Sequence, residues 1–401
     1  MLAPLRWRTD RSRPPVKERS VVTDQPSPAA FRAHFPAFAD SVHLASCSQG
    51  ALSDALTAEL FEFQHTIREH GAPWDKWMAK VAEARALFAQ LIGADTDDIA
   101  VVPSASEGAY QVASTQAWSE RPEIVTTDLE FPSLGHVWLA QQGRGAEVQF
   151  VSHHDGLVDA EDYAALITER TQLVSVPLVS YANGLRFPVR EVAALARENG
   201  ARSFVDAYQG LGVEPVDVTE LGCDYLVSGS LKYLLGISGI AFLYVRPGLR
   251  DAVSPPLTGW FGRTNPFEFD PRHLDYPEHA RRFETGTPSI PSAYGAVAGL
   301  KLVHQVDAHW VRDHIGQLTG QLQQRLLDAG EQLRSPLDDA RRGPLVALAD
   351  RDPDALAAFL AGRRIVCSAR GDVLRMSLHY YNVESDLDAV VAAIAEYRAS
   401  Q

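Results

Sequence analysis

Short apolar runs alternate with amphipathic stretches of roughly ten residues through the middle of the chain. Residues 99–102, 123–127, 147–151, 173–179 and 203–206 are compact and rich in β-branched side chains, as expected of strands covered on both faces. Helical spacing fills the intervals, from residue 108 through Trp118 and over residues 134–142, 160–169 and 189–199. Two further helices are predicted ahead of them. In residues 51–70, Leu52, Ala55, Leu56, Leu60 and Phe63 share one side, and residues 77–92 end at Gly93. Strands alternating with helices of this length predict an α/β fold, a mostly parallel sheet with helices on both faces. After Thr287 the texture changes. Long helices are expected over 290–314 and 315–333, then strand-like 345–348, a helix over 353–361, strand-like 365–368 and 374–378, and a last helix over 385–398. The pattern divides the chain into an extension expected to be disordered (1–29), a segment contributing to the small domain and the pocket (30–50), a large domain (51–286) and a small C-terminal α+β domain (287–401).

The polar residues of interest fall at the ends of the strands. Lys232, one of five lysines, follows the run Asp224-Tyr-Leu-Val-Ser-Gly-Ser-Leu and enters a loop containing Gly236. A second apolar run, 240–245, comes next. Twenty-six residues before the lysine, Asp206 closes another buried-type strand. A lysine in an apolar pocket has a lowered pKa and can form a Schiff base, and a carboxylate can hold a pyridine nitrogen protonated, which is the pairing that pyridoxal phosphate requires. Ser104, Ser106 and Phe131 also stand at strand ends, on the edge where open α/β sheets bind ligands.

Composition narrows the function classes. The 401 residues carry a net charge of −14, which argues against a nucleic-acid or membrane-surface partner. Three cysteines, Cys47, Cys223 and Cys367, lack metal-ligand spacing and read as thiols of a reducing, cytoplasmic compartment. No metal is expected: His153 and His154 are adjacent and read as a surface turn. No run is long enough to span a bilayer, and no G-x-G-x-x-G follows a first strand.

With these pieces placed, the chain from about residue 30 onward resembles the class V aminotransferase family of fold type I pyridoxal-phosphate enzymes, a group that includes cysteine desulfurases, kynureninases and isopenicillin-N-epimerase-like proteins. FVDAYQGLG at 204–212 looks like the family's Asp-x-x-Gln segment, which implies Asp206 on the ring nitrogen and Gln209 on the ring oxygen. SLKYLLG at 230–236 looks like the Schiff-base segment, with Ser230 and Lys232. SASEG at 104–108 resembles the phosphate loop, implying cofactor contacts from Ser104, Ala105 and Ser106. RFETGTPSI at 282–290 resembles the segment whose threonine, here Thr287, reaches the phosphate of a neighbouring subunit; a homodimer is implied. DVLRMSLHYYN at 372–382 resembles the segment whose arginine, here Arg375, holds the substrate carboxylate. By the same resemblance Phe131 stacks on the ring and Asn183 stands near the ring oxygen. Ser48, Gln49, Trp260 and Arg370 complete the expected substrate pocket.

The chain departs from the family pattern in places that bear on reaction type. Leu231 replaces the histidine that many relatives carry before the lysine, and Phe131 stands where desulfurases have histidine. Cys367 lies in an apolar run and does not suit a persulfide carrier. The resemblance therefore implies a pyridoxal-phosphate enzyme acting on an amino acid or cysteine S-conjugate through an external aldimine, with β-elimination as the favoured outcome. An aminotransferase or a decarboxylating or oxidative deaminase on the same substrates is the alternative, and a silent scaffold with this fold is the non-enzyme alternative.

Overall fold

The computed structural model describes residues 25–249 and 253–401. Its centre is a seven-stranded sheet built from β2 to β8, once the short β1 (Val42–His43) has passed. These are β2 (Ile99–Val102), β3 (Glu123–Thr127), β4 (Glu147–Val151), β5 (Thr171–Pro177), β6 (Arg202–Asp206), β7 (Tyr225–Gly229) and β8 (Ala241–Val245), in the spatial order β2-β8-β7-β6-β5-β3-β4. Only β8 runs against its neighbours; β7, β6, β5, β3 and β4 pair in parallel. The fold is thus the expected fold type I α/β arrangement.

The strands lack polar alternation because each face of the sheet has its own apolar cover. Val101, Val125, Val174, Val205, Leu226 and Phe242 face one core, and their chain neighbours Val102, Ile124, Leu173, Phe204, Val227 and Leu243 face the other. Side chains of successive strand residues point to opposite faces, so both sets are apolar where both faces are packed.

The smaller unit holds an antiparallel sheet of β9 (Leu345–Ala349), β11 (Ser368–Arg370) and β12 (Val373–Ser377), in the order β11-β12-β9. β10 (Ile365–Val366) instead pairs in parallel with β1. The single strand expected over 365–368 is therefore two, each serving a different partner. The expected helix break at 314/315 is found ten residues earlier. One helix spans Ile290–Val303 and the next Ala308–Asp328, because the Asp307 carboxylate accepts the His309 N–H and caps a new start. The first of these helices packs against the helices Asp54–His70 and Trp74–Leu91, so it sits with the large unit although residue 287 was expected to open the small one. The helix expected over 160–169 closes at Ala164.

The expected disordered extension, for residues 1–24, lies outside the described residues. Its last residues are docked: Tyr380 donates to Pro26 O at 3.0 Å, Gln25 accepts from Asp307 N–H at 2.9 Å, and a short helix begins at Pro28. Arg32 at that helix's end grips the buried Asp386 through two bonds of 2.9 and 3.1 Å and donates to Tyr381 O at 3.0 Å. Arg32→Ala leaves the Asp386 carboxylate short of its cation, and chemical denaturation should register a loss of about 2 kcal/mol.

Candidate active site

Four chain segments leave the carboxyl edge of the large sheet and line a cavity of about 280 Å³. After β2, Ser104 ends the strand and caps the helix Ala105–Ser114, its hydroxyl accepting the Glu107 N–H at 3.1 Å. After β3 the chain turns through Glu130, and Phe131 becomes the N-cap of the helix Pro132–Leu139. Asp206 is the last residue of β6, and Lys232 lies in the loop between β7 and β8. A separate segment, residues 44–50, joins β12 through Ala45 and runs along that loop outside the cavity wall.

The lysine loop is tightly held. The Ser230 hydroxyl donates to Ile237 O at 2.6 Å, and Gly236 N–H returns to Ser230 O at 2.8 Å. Leu235 takes a positive φ of 58°, an unusual state for a branched side chain that persists only where its surroundings impose it. Gly50 donates its N–H to Leu231 O at 2.9 Å, and a Cβ at Gly50 would collide with Lys232 O. A Cβ at Gly299, on the helix beneath, would collide with Leu234 O. The loop thus lies in a slot between two glycines.

Lys232 Nζ lies 4.4 Å from the centre of the Tyr208 ring and 5.2 Å from that of Phe131. Burial lowers its pKa to about 8, partly opposed by Asp206 and assisted by Arg375 and Arg370. Asp206 is 5% exposed; burial raises its pKa, while the Tyr208 N–H at 2.9 Å and Lys232 act to lower it. Burial, reinforced by Asp206, pushes the Tyr208 hydroxyl up to about 12.

The cavity wall contains Ser104, Ala105, Ser106, Phe131, Asp206, Gln209 and Lys232, so seven of the residues singled out in the sequence come together. Arg375 stands nearby on β12. It is 1% exposed, with Nη1 donating to Tyr181 O at 2.9 Å and Nη2 to the Ser368 and Ser48 hydroxyls at 2.8 and 3.3 Å. Its Nε is buried without a partner. Arg370 is exposed on β11, and Gln49 donates to Gly50 O and Leu231 O beside the lysine loop.

Other residues singled out in the sequence do not line this cavity. The Asn183 amide is committed to Gly156 O at 2.7 Å and Leu185 N–H at 3.1 Å, which closes a turn and holds it out of the cavity. Ser230 faces its own loop. Trp260 packs in an aromatic group with Trp74, Phe261, Phe267 and Phe269, and Thr287 is exposed outside the cavity wall. The sequence reading missed Glu130, Tyr208, Ser133, Ser238 and Gly239. The first two adjoin residues that were singled out, and their polar character beside a strand end was the signal. His153 and His154 lie in a tight turn with Asp155 at φ 51°, and among the described residues no cluster of His, Cys, Asp and Glu suits a metal. No described helix is long and apolar enough to cross a membrane.

This edge-of-sheet site sits in a chain whose residues 52–390 match the family model for aminotransferase class-V. The chain belongs to that family. It is 35% identical over 368 residues to the uncharacterized aminotransferase YcbU of Bacillus subtilis, covering 92% of this chain and 97% of that protein. It is 26% identical to a kynureninase of Geobacillus thermodenitrificans, covering 90% of each chain. Among solved structures, the apo cysteine desulfurase of Thermococcus onnurineus superposes with a TM-score of 0.85 at 23% identity, covering 94% of this chain and all of that one. The cystine C-S lyase C-DES gives 0.83 at 23% identity, with 90% and 99% covered. At those identities the structures share the fold.

Class-V membership makes the protein a pyridoxal 5′-phosphate-dependent enzyme. The cavity suits that cofactor. A helix start with flanking serines offers N–H and O–H donors to a phosphate, and a carboxylate lies in the wall for a ring nitrogen. Gln209 donates one N–H to Cys47 O at 3.1 Å and leaves a buried amide oxygen without a partner. Lys232→Ala should abolish the borohydride-reducible cofactor linkage, read by mass spectrometry, while weaker non-covalent binding remains. Because only the neutral amine attacks an aldehyde, cofactor uptake by the wild-type apo-protein should speed up as pH rises through about 8.

Proposed function

We propose that this class-V enzyme cleaves the C–S bond of an S-substituted L-cysteine by β-elimination. The observation that carries the substrate class is Arg375, a buried guanidinium steadied by two hydroxyls and a carbonyl and retaining one unpartnered N–H. Such a group suits the α-carboxylate of an amino acid. Pyridoxal 5′-phosphate supplies, when bound, the aldehyde that joins the substrate amine and the ring that draws off electrons from Cα.

The chain's residues do the rest. Lys232 Nζ, with a pKa near neutrality, takes the proton from Cα and can return it. Asp206 keeps a proton on the ring nitrogen. Phe131 and Tyr208 place their rings beside the lysine and lower the polarity around its amine. Arg375 would hold the substrate carboxylate and so orient Cα toward Lys232. Elimination is favoured over persulfide transfer because the thiol nearest in sequence to Arg375, Cys367, is pushed well up by burial and so resists becoming a thiolate nucleophile.

The proposal includes a homodimer in which Thr287, exposed on this subunit, meets the neighbour's phosphate, and a reducing cytoplasm that suits three free thiols. Transamination is the second reading, and the likeness to YcbU favours it.

Mass spectrometry of the products from a panel of S-substituted L-cysteines tests the choice. Pyruvate, ammonia and a free thiol are expected. A keto acid or aldehyde that keeps its sulfur would instead mean transamination or decarboxylative deamination. Arg375→Ala should raise KM for any carboxylate-bearing substrate by roughly a hundredfold, the loss expected when a charge-assisted pair is removed.

A further inference from the structure

One acid in the site has no part in the chemistry above. Glu130, on the turn after β3, is 5% exposed. Its Oε1 accepts the N–H of Phe131 at 2.9 Å, and its Oε2 lies 3.0 Å from the Ser175 hydroxyl on β5. Ser175 O in turn accepts from the buried Tyr163 hydroxyl at 3.2 Å. β5 lies directly between β3 and β6 in the sheet, so Glu130 and Asp206 flank its carboxyl end from the two sides. The charged group that acts on Glu130 is therefore of its own sign. Among the described residues no basic side chain is seen to pair with it or to lower its pKa, whereas the charge of Lys232 acts on Asp206. Asp128, on the same turn, adds another negative charge beside Tyr163.

Two buried carboxyls and one ammonium around the end of β5 cannot all be charged at low cost. The carboxyl beside the cation keeps its charge, and the other keeps its proton. We propose that Glu130 is a positioning residue that works as a neutral carboxylic acid: it pins the Phe131 backbone, and so the ring beside Lys232, while leaving the negative charge of the site to Asp206. The Ser175 hydroxyl donates to Oε2 and so favours the ionised form, against the burial that favours the neutral one. Burial and then Asp206 push Glu130 up to about 8, while the Phe131 N–H and Ser175 pull it back.

The role given to Phe131 rests on the cavity being the cofactor's; the charge state of Glu130 does not, and is read in the apo-protein. Its folded-state pKa lies above the ordinary value, so its stabilising contribution is complete at low pH and is lost as pH rises toward about 8. Glu130→Gln has no proton to lose. The unfolding midpoint of apo-E130Q relative to wild type should therefore climb between about pH 5 and pH 8. Ser175→Ala, which removes a donor to the carboxylate, should carry the wild-type transition to higher pH. A gap between E130Q and wild type that stays constant with pH overturns the assignment. Should E130Q not fold, an unmoved transition in S175A does the same.

In the loaded enzyme at about pH 6.5, E130Q should bind pyridoxal 5′-phosphate as tightly as wild type and keep its visible circular dichroism. Glu130→Ala, which leaves the Phe131 N–H and Ser175 unpartnered, should bind roughly tenfold more weakly. Loss of affinity in E130Q equal to that in E130A would show that Glu130 works as an anion and would sink the proposal. Wild-type protein that takes up no cofactor would sink the cofactor reading instead, which the apo titration distinguishes.

Discussion

Both faces of the seven-stranded sheet are closed by apolar packing, and that closure decides where chemistry can be placed. A polar side chain on either face would be buried without water. Polar groups are tolerated at the strand ends, where loops supply backbone partners. Asp206, Lys232, Phe131 and the serines at 104 and 106 come from four different strand ends and converge because the sheet is parallel over most of its width. One antiparallel strand, β8, returns the chain from the lysine loop directly beneath it, so the segment carrying Lys232 is a short hairpin connection and not a long crossover.

The lysine loop shows how backbone constraint becomes chemical character. A positive-φ leucine, two hydrogen bonds closing 230–237 and two glycines that leave no room for a side chain hold Lys232 in one place. A long flexible ammonium would otherwise swing out to water and recover its ordinary pKa. Here it stays between two rings, and its proton is loosened by burial despite the nearby carboxylate. Sequence alone marks the lysine, but the grip on it comes from residues 50 and 299, far away along the chain.

Much of the architecture was legible because buried strands and amphipathic helices leave distinct periods. The failures have physical causes. The break between the helices Ile290–Val303 and Ala308–Asp328 was misplaced because apolar residues continue across it, and the Asp307 cap is a single-residue signal. The run over 365–368 looked like one strand because the divergence of its two halves toward β1 and β12 depends on partners elsewhere. Within the site, residues whose role follows from their own chemistry were found. Glu130 was overlooked because a lone glutamate before a Phe-Pro pair carries no pattern, and its importance lies in what surrounds it. Asn183 illustrates the converse: an amide in a loop near the site is equally able to close a turn, and here it does.

Arg375 lies on a strand of the small sheet and Lys232 in a loop of the large one, and the segment 44–50 spans the two. Leu44 and Ala45 join β12 through Ser377, Cys47 O receives Gln209, and Gly50 meets the lysine loop. The hydroxyls that steady Arg375, from Ser48 and Ser368, lie on this seam and outside the cavity around Lys232. A substitution at Ser48 or Ser368 would therefore shift the guanidinium, whereas one at Gly50 would press on the lysine loop itself. One short stretch of chain is thus a common hinge-pin for the guanidinium and the lysine loop, so a shift of either is passed to the other.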